Sequence, residues 1–188
     1  MKEVKLKGVN FRGAISAVER LAGKETADRA LALAKGPAGD ALRNGEILAG
    51  GWYPAGWYAA LLEAIELAGA RGPGFIPEVS REAIRGDFAT LFKVISLFVS
   101  PERALDNATR VMARYYDGGK ISVLEARDGK IRFRLDEYYG LDRRMWDDII
   151  GGMEGVLISM RVKSPRGQKV AGGADGDASM TVELMWTP

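Results

Sequence analysis

Residues 120–135 read KISVLEARDGKIRFRL, and the period of the chain changes inside them. Upstream, apolar residues recur every three to four positions; here they recur every second one. Ile121 and Val123 share one face of a first run, and Ile131, Phe133 and Leu135 share one face of a second. Asp128-Gly129 between them both accept positive φ, so the two runs predict a tight hairpin. The tail SMTVELMW (179–186) alternates again, with Met180, Val182, Leu184 and Trp186 on one side, and predicts a final strand. Between the two lies a helical pattern from about Arg143 to Met160. Its apolar face is Trp146, Ile149, Ile150, Met153, Leu157 and Met160. The fold class is therefore α+β: a helical N-terminal two-thirds packed on a small twisted antiparallel sheet from the C-terminal third. The reading is one domain, 1–188, helical to about 118, with the sheet and one helix from about 119.

Working back from the hairpin, Ser100-Pro101 supplies an N-cap and a first-turn proline for a helix ending at Gly118-Gly119. Pro77 opens a long helix to about Val99, with Ile84, Phe88, Leu91, Phe92, Ile95 and Phe98 at helical spacing. An apolar arc that wide belongs to the centre of a core. GARGPGF (69–75) is a connection. Pro54 sits in the first turn of a helix to about Leu67, whose spacing puts Trp57 in the core, Tyr58 at its margin and Trp52 over the helix start. Before it come two short helices, about Glu25–Ala34 and Ala38–Arg43, and a strand VKLKGV leading into FRGAISAVERLAG.

Composition removes whole classes of chemistry. The chain has no histidine and no cysteine, which excludes disulfides, thiolate nucleophiles, Ser-His and Cys-His pairs, and a histidine-ligated haem. Twenty-seven basic and 25 acidic residues leave a net charge of +2, too little to draw in nucleic acid. MKEVKLKGVNF has no signal-peptide apolar run, and Phe88–Val99 is too short for a bilayer core of ~30 Å; no membrane insertion is expected. A cytoplasmic protein is the expectation, with no metal and no cofactor.

Among the motifs, Gly151-Gly152 and Gly155 lie inside a helical pattern with no lysine to hold phosphate. A glycine inside a helix costs about 1 kcal/mol relative to alanine, so close packing must offset it. Gly152 is the position expected to carry that contact. Asp147-Asp148 with Glu154, and Asp136-Glu137, are the surviving acid/base candidates; beside Arg143 and Arg144 they read as solvated charges. RVKSPRGQK (161–169) reads as a solvated basic loop, and GGADGD (172–177) as a hairpin turn. Tyr115-Tyr116 and Tyr138-Tyr139 each read as one buried ring and one surface ring.

Lys7-Gly8, Trp52-Tyr53-Pro54, Ser100-Pro101-Glu102, Arg114-Tyr115-Tyr116-Asp117-Gly118, Gly152 and Trp186 together resemble an uncharacterised family of single domains best known from myxobacteria. That family is similar to the 4-vinyl-reductase-type (V4R) ligand-binding domain, the haem–nitric-oxide-binding fold and the Bet3-like vesicle-tethering subunits. The resemblance implies helices on one face of a twisted antiparallel sheet, with an apolar cavity between them. Two departures stand out. Members often carry two cysteines in the last glycine-rich hairpin, which here reads AGGADGDASM (171–180), and the haem-binding relatives need a proximal histidine that is missing.

Two functions follow. One is a non-enzymatic sensory or carrier domain holding a small apolar molecule, largely hydrocarbon or aromatic, between helices and sheet. Its candidate lining is Trp52, Trp57, Phe88, Phe92, Tyr115, Trp146 and Met153. The other is a homodimeric protein-interaction or scaffold domain with a filled core. A cavity of several hundred Å3 would favour the first, and a large flat apolar surface the second.

Overall fold

The computed structural model describes residues 2–91, 108–127 and 129–187, and within them all side chains except those of 87–91 and 108–110. A short strand β1 (Lys5–Lys7) runs into α1 (Gly8–Ala22), which ends at Gly23 with φ 85°. Helices α2 (Lys24–Leu33) and α3 (Gly36–Arg43) follow, then β2 (Trp52–Pro54), which pairs antiparallel with β1. Helix α4 (Ala55–Gly69), the turn at 70–74 and α5 (Phe75–Leu91) complete the first half. The expected continuation of α5 to Val99, and the Ser100-Pro101 cap, lie outside the described residues. Helix α6 (Ala108–Tyr115) leads to the hairpin β3 (Lys120–Arg127) and β4 (Lys130–Asp136), with Arg127 opposite Lys130. Then come α7 (Arg143–Ser159), β5 (Lys163–Gly172) and β6 (Met180–Thr187).

The four-stranded sheet has the order β3-β4-β6-β5, antiparallel throughout. Period-two alternation does what it promised in β4 and β6. Ile131, Phe133 and Leu135 oppose Leu184, Val182 and Met180, and all six are buried against the helices. Each such side chain contributes about 1.5–3 kcal/mol on leaving water, which makes this face the floor of the core. On β3 the alternation fails: a bulge interrupts the register between Val123 and Glu125, and Val123 is exposed. An edge strand with a bulge aims its side chains away from the core. The opposite face of the sheet is ionic. Glu183 takes Lys130 at 2.7 Å and Arg132 at 2.5 Å, and their hydrogen bonds hold its carboxyl near 2.

The basic stretch 161–169 is not a solvated loop. From Lys163 onward it is edge strand β5, paired to β6 with bulges around Pro165 and Val170. Proline has no N–H to give a ladder, so it is tolerated at such an edge bulge. Backbone pairing is decided by the partner strand, which local charge does not reveal.

Helix α7 is fixed at its start by Asp142, whose carboxylate accepts from the Met145 N–H at 2.9 Å. Arg143 and Arg144 then clasp Glu66 of α4 at 3.0 and 2.8 Å. The glycines of α7 set its approach to α5. A Cβ on Gly151 would sit 2.3 Å from the Pro77 carbonyl oxygen, and one on Gly155 would sit 2.9 Å from that of Arg81. Backbone cannot yield at those distances. Gly152, the position the sequence singled out, meets only ordinary contacts, 3.4 Å to Ser80 Oγ and 3.6 Å to Ile84. The packing reading is correct for the cluster and wrong for the residue.

The Trp-Tyr pairs are also reassigned. Pro54 is the residue before α4, one position earlier than expected. Tyr58 is the buried ring (3% exposed), while Trp57 is half-buried and stacks on Tyr53 at 5.8 Å. Trp52 is 40% exposed, with the Lys7 ammonium 5.3 Å from its ring. Among the described residues no helix is long and apolar enough to cross a membrane.

Candidate functional site

Five helices converge on one cavity of about 80 Å3. Helix α1 supplies Val9, Asn10 and Gly13; α4 supplies Tyr58; α5 supplies Ser80, Ala83 and Ile84. The end of α6 brings Val111, Met112, Tyr115 and the following Tyr116, and α7 brings Asp148, Ile149, Gly152, Met153 and Val156. Gly13 and Gly152 leave the space open, because each would meet its neighbours only at van der Waals range if it carried a Cβ. No described sheet residue lines it, so the cavity lies among helices and not between helices and sheet. A larger groove of about 710 Å3, beside Gly119–Ser122 and Asp136–Glu137, is bordered mostly by polar residues, including the Lys120–Glu137 ion pair.

One corner of the cavity is polar. Asp148 is buried, at 8% exposure, and its carboxylate accepts from the Tyr58 hydroxyl at 3.1 Å. Ser80 donates to the Asp148 main-chain carbonyl at 2.7 Å, beside the same carboxyl. Burial pushes the Asp148 carboxyl up to about 7. The hydrogen bonds from Ser80 and Tyr58 oppose that rise, and the like charges of Asp142 and Asp147 add to it. Tyr58 and Tyr116 are held well above the ordinary phenol range, first by burial and then by the nearby Asp148 charge, so both stay neutral donors. Asn10 donates to the Tyr115 carbonyl at 3.1 Å, occupying a helix-end acceptor and tying α1 to α6.

Of the residues the sequence offered as lining, Tyr115 and Met153 are at the cavity. Trp146 is fully buried but packs edge-on against Tyr138 at 6.1 Å, and its indole N–H has no hydrogen-bond partner among the described residues. Trp57, stacked on Tyr53, and Trp52, beside Lys7, do not line the cavity. Phe92 lies outside the described residues; Phe88 falls in α5, its side chain among those not described. Both rings of Tyr115-Tyr116 are buried, against the expectation of one, whereas Tyr138 is buried and Tyr139 only half-buried.

The sequence did not offer Tyr58 or Ser80 as site residues, and it named Asp148 only as an acid/base candidate that reads as a solvated charge. The reading of Asp147, Asp148 and Glu154 as solvated charges holds for none of the three in full. Asp147 pairs with Lys169 at 2.8 Å and Arg143 at 3.2 Å, and Glu154 is 4% exposed, paired with Arg81 and accepting from the Gly167 N–H at 2.7 Å. A signal was present. Asp148 precedes Gly151 and Gly152 by three and four residues, so it shares the helix face that the glycines press against a neighbour.

No protein-family profile matches the chain, and no curated protein matches it in sequence. Solved structures do match in fold. An H-NOX protein from S. oneidensis in the Fe(II)NO ligation state aligns at TM-score 0.71 and 11% identity, over 97% of this chain and 99% of the other. The Fe(II) unliganded H-NOX protein from K. algicida aligns at 0.69 and 12%, over 97% of each. An oxygen-binding H-NOX domain related to soluble guanylate cyclases aligns at 0.67 and 15%, over 97% and 95%. At such identities the likeness shows the fold, and the fold is the haem–NO-binding one that the sequence resembled.

Proposed function

We propose that the chain is a non-enzymatic small-molecule-binding domain of sensory or carrier type, whose ligand occupies the interhelical cavity without haem. The observation that carries this reading is the cavity itself: apolar walls from five helices, with one buried carboxyl and its tyrosine partner in a corner. A few convergent polar groups in an apolar concavity are what fixes a small ligand's orientation. The similar H-NOX structures, described with oxygen and nitric oxide as ligands, support a sensory use of this fold.

Haem, which that fold implies, does not suit these residues. The chain has no histidine and no cysteine to supply a strong axial ligand. A space of about 80 Å3 is also below the roughly 300–1,000 Å3 of pockets that hold drug-sized ligands. The same size argument replaces the hydrocarbon chain expected from sequence with a molecule of a few heavy atoms. Haemin added at one equivalent should give no sharp Soret band; a saturable band at that ratio would overturn the haem-free reading, with tyrosine or methionine as the ligand to seek.

Gly152→Leu tests the cavity directly. Leucine there would project into the space that Ser80 and Ile84 border. The variant should keep a cooperative melt and native circular dichroism while losing the binding of small probes such as 1-butanol. Retained binding in a folded variant would place the ligand elsewhere.

A further inference from the structure

The cavity's polar corner carries a sign, and its ligand's head group follows from it. Three carboxyls are buried among the described residues. Glu154 is paired with Arg81, and Glu183 with Lys130 and Arg132. Asp148 is the exception: the groups acting on its carboxyl are Tyr58, Ser80, Asp142 and Asp147, none of them cationic. The cations nearest in sequence are engaged, Arg144 by Glu66 and Asp142 and Arg143 by Glu66 and Asp147; Lys169 is taken by Asp147. A buried carboxylate without a counter-charge is costly, and proteins ordinarily supply one. Among the described residues, the one buried carboxyl with no cation beside it is also the one that lines the cavity.

The walls agree with that sign. The rings of Tyr58, Tyr115 and Tyr116 line the same space, and aromatic faces attract organic cations. A carboxylate ligand there would meet repulsion from Asp148, on which the charges of Asp142 and Asp147 already act in the same sense. Ile149, Met153 and Val156 leave room for a short apolar body on the other side.

Resting on the reading of this cavity as the ligand site, we propose that it selects a small alkylammonium, with Asp148 as the counter-ion and the Tyr58 hydroxyl holding that carboxylate in place. The head group donates to Asp148, and a chain of a few carbons lies against α6 and α7.

The test holds the apolar body constant and varies the head. Butylammonium chloride, 1-butanol and sodium butyrate are titrated into the full chain at pH 8, followed by NMR chemical shifts. Butylammonium should bind saturably and about tenfold or more tighter than 1-butanol, as expected of charge-assisted over neutral hydrogen bonding, with butyrate weakest. Asp148→Asn, near-isosteric and still able to accept from Tyr58, should lose that preference. Tyr58→Phe keeps the carboxyl but removes the hydroxyl that holds it, so it should reduce the preference without reversing it. Equal binding of butylammonium and 1-butanol, or a preference that survives in Asp148→Asn, overturns the cation assignment and leaves the cavity reading standing. If none of the three probes binds, the cavity is not a ligand site and both readings fall.

Discussion

Gly151→Ala should lose roughly 2 kcal/mol or more of stability, while Gly152→Ala, one residue on, should lose none. Alanine raises helix propensity by about 1 kcal/mol at either position, so propensity alone predicts that both variants melt higher. The two differ only in what lies beyond the Cβ. At 151 the new carbon is placed 2.3 Å from the Pro77 carbonyl oxygen and 2.6 Å from Pro77 Cα. Those atoms belong to the first turn of α5, which cannot move without dragging Phe75, Ile76 and Val79 from the core. Overpacking a rigid contact costs about 1–3 kcal/mol or more, and exceeds the propensity gain. At 152 the carbon finds Ser80 Oγ at 3.4 Å and Ile84 at 3.6 Å, ordinary contacts at the cavity wall. Melting temperatures of the two variants measured side by side decide the matter. Equal shifts would show that the α5–α7 approach is looser than these distances.

The second large effect concerns Asp148 and pH. Its carboxyl titrates near 7 in the fold against an ordinary 3.8, and the cause is burial. Between those values the folded protein holds a proton that the unfolded chain has released. Stability from this group is therefore full below about pH 4 and is lost as pH rises through about 7. The displacement corresponds to about 4 kcal/mol in total, at about 1.4 kcal/mol per unit. Its hydroxyl neighbours do not titrate in that window: Tyr58 and Tyr116 are neutral throughout, and Ser80 does not ionise. Asparagine at 148 keeps the Tyr58 contact and carries no charge to bury. The stability of Asp148→Asn relative to the wild type should move in the variant's favour by about 4 kcal/mol between pH 4 and pH 8. Urea unfolding at the two pH values measures it. A difference that stays flat would mean that Asp148 is solvated or counter-charged in the free protein.

Elements whose partners are local were legible in the sequence. The hairpin at 120–135, the last strand and α7 were placed within a few residues, because period two and period 3.6 are properties of each segment alone. The α+β class followed from their order along the chain. Edge strand β5 was not legible, since a bulged strand with Pro165 and three basic residues looks like a loop until β6 supplies its ladder. The site fared worse than the fold. Aromatic size drew attention to Trp52, Trp57 and Trp146, yet ring size says only that a side chain seeks cover. The cover each found was the surface, Tyr53 and Tyr138.

The sequence by itself determined the fold class, the lack of any histidine or cysteine donor, and the presence of a glycine face on α7. These depend on composition and on spacing within one element. Only the tertiary structure decided which glycine admits α5, that Tyr58 and not Trp57 turns inward, and that Asp148 loses its water without gaining a cation from the described residues. The physical reason is common to all three. A side chain's exposure and charge state depend on the neighbours that other elements bring to it, and α4, α5 and α7 meet across 68 to 90 residues of intervening chain.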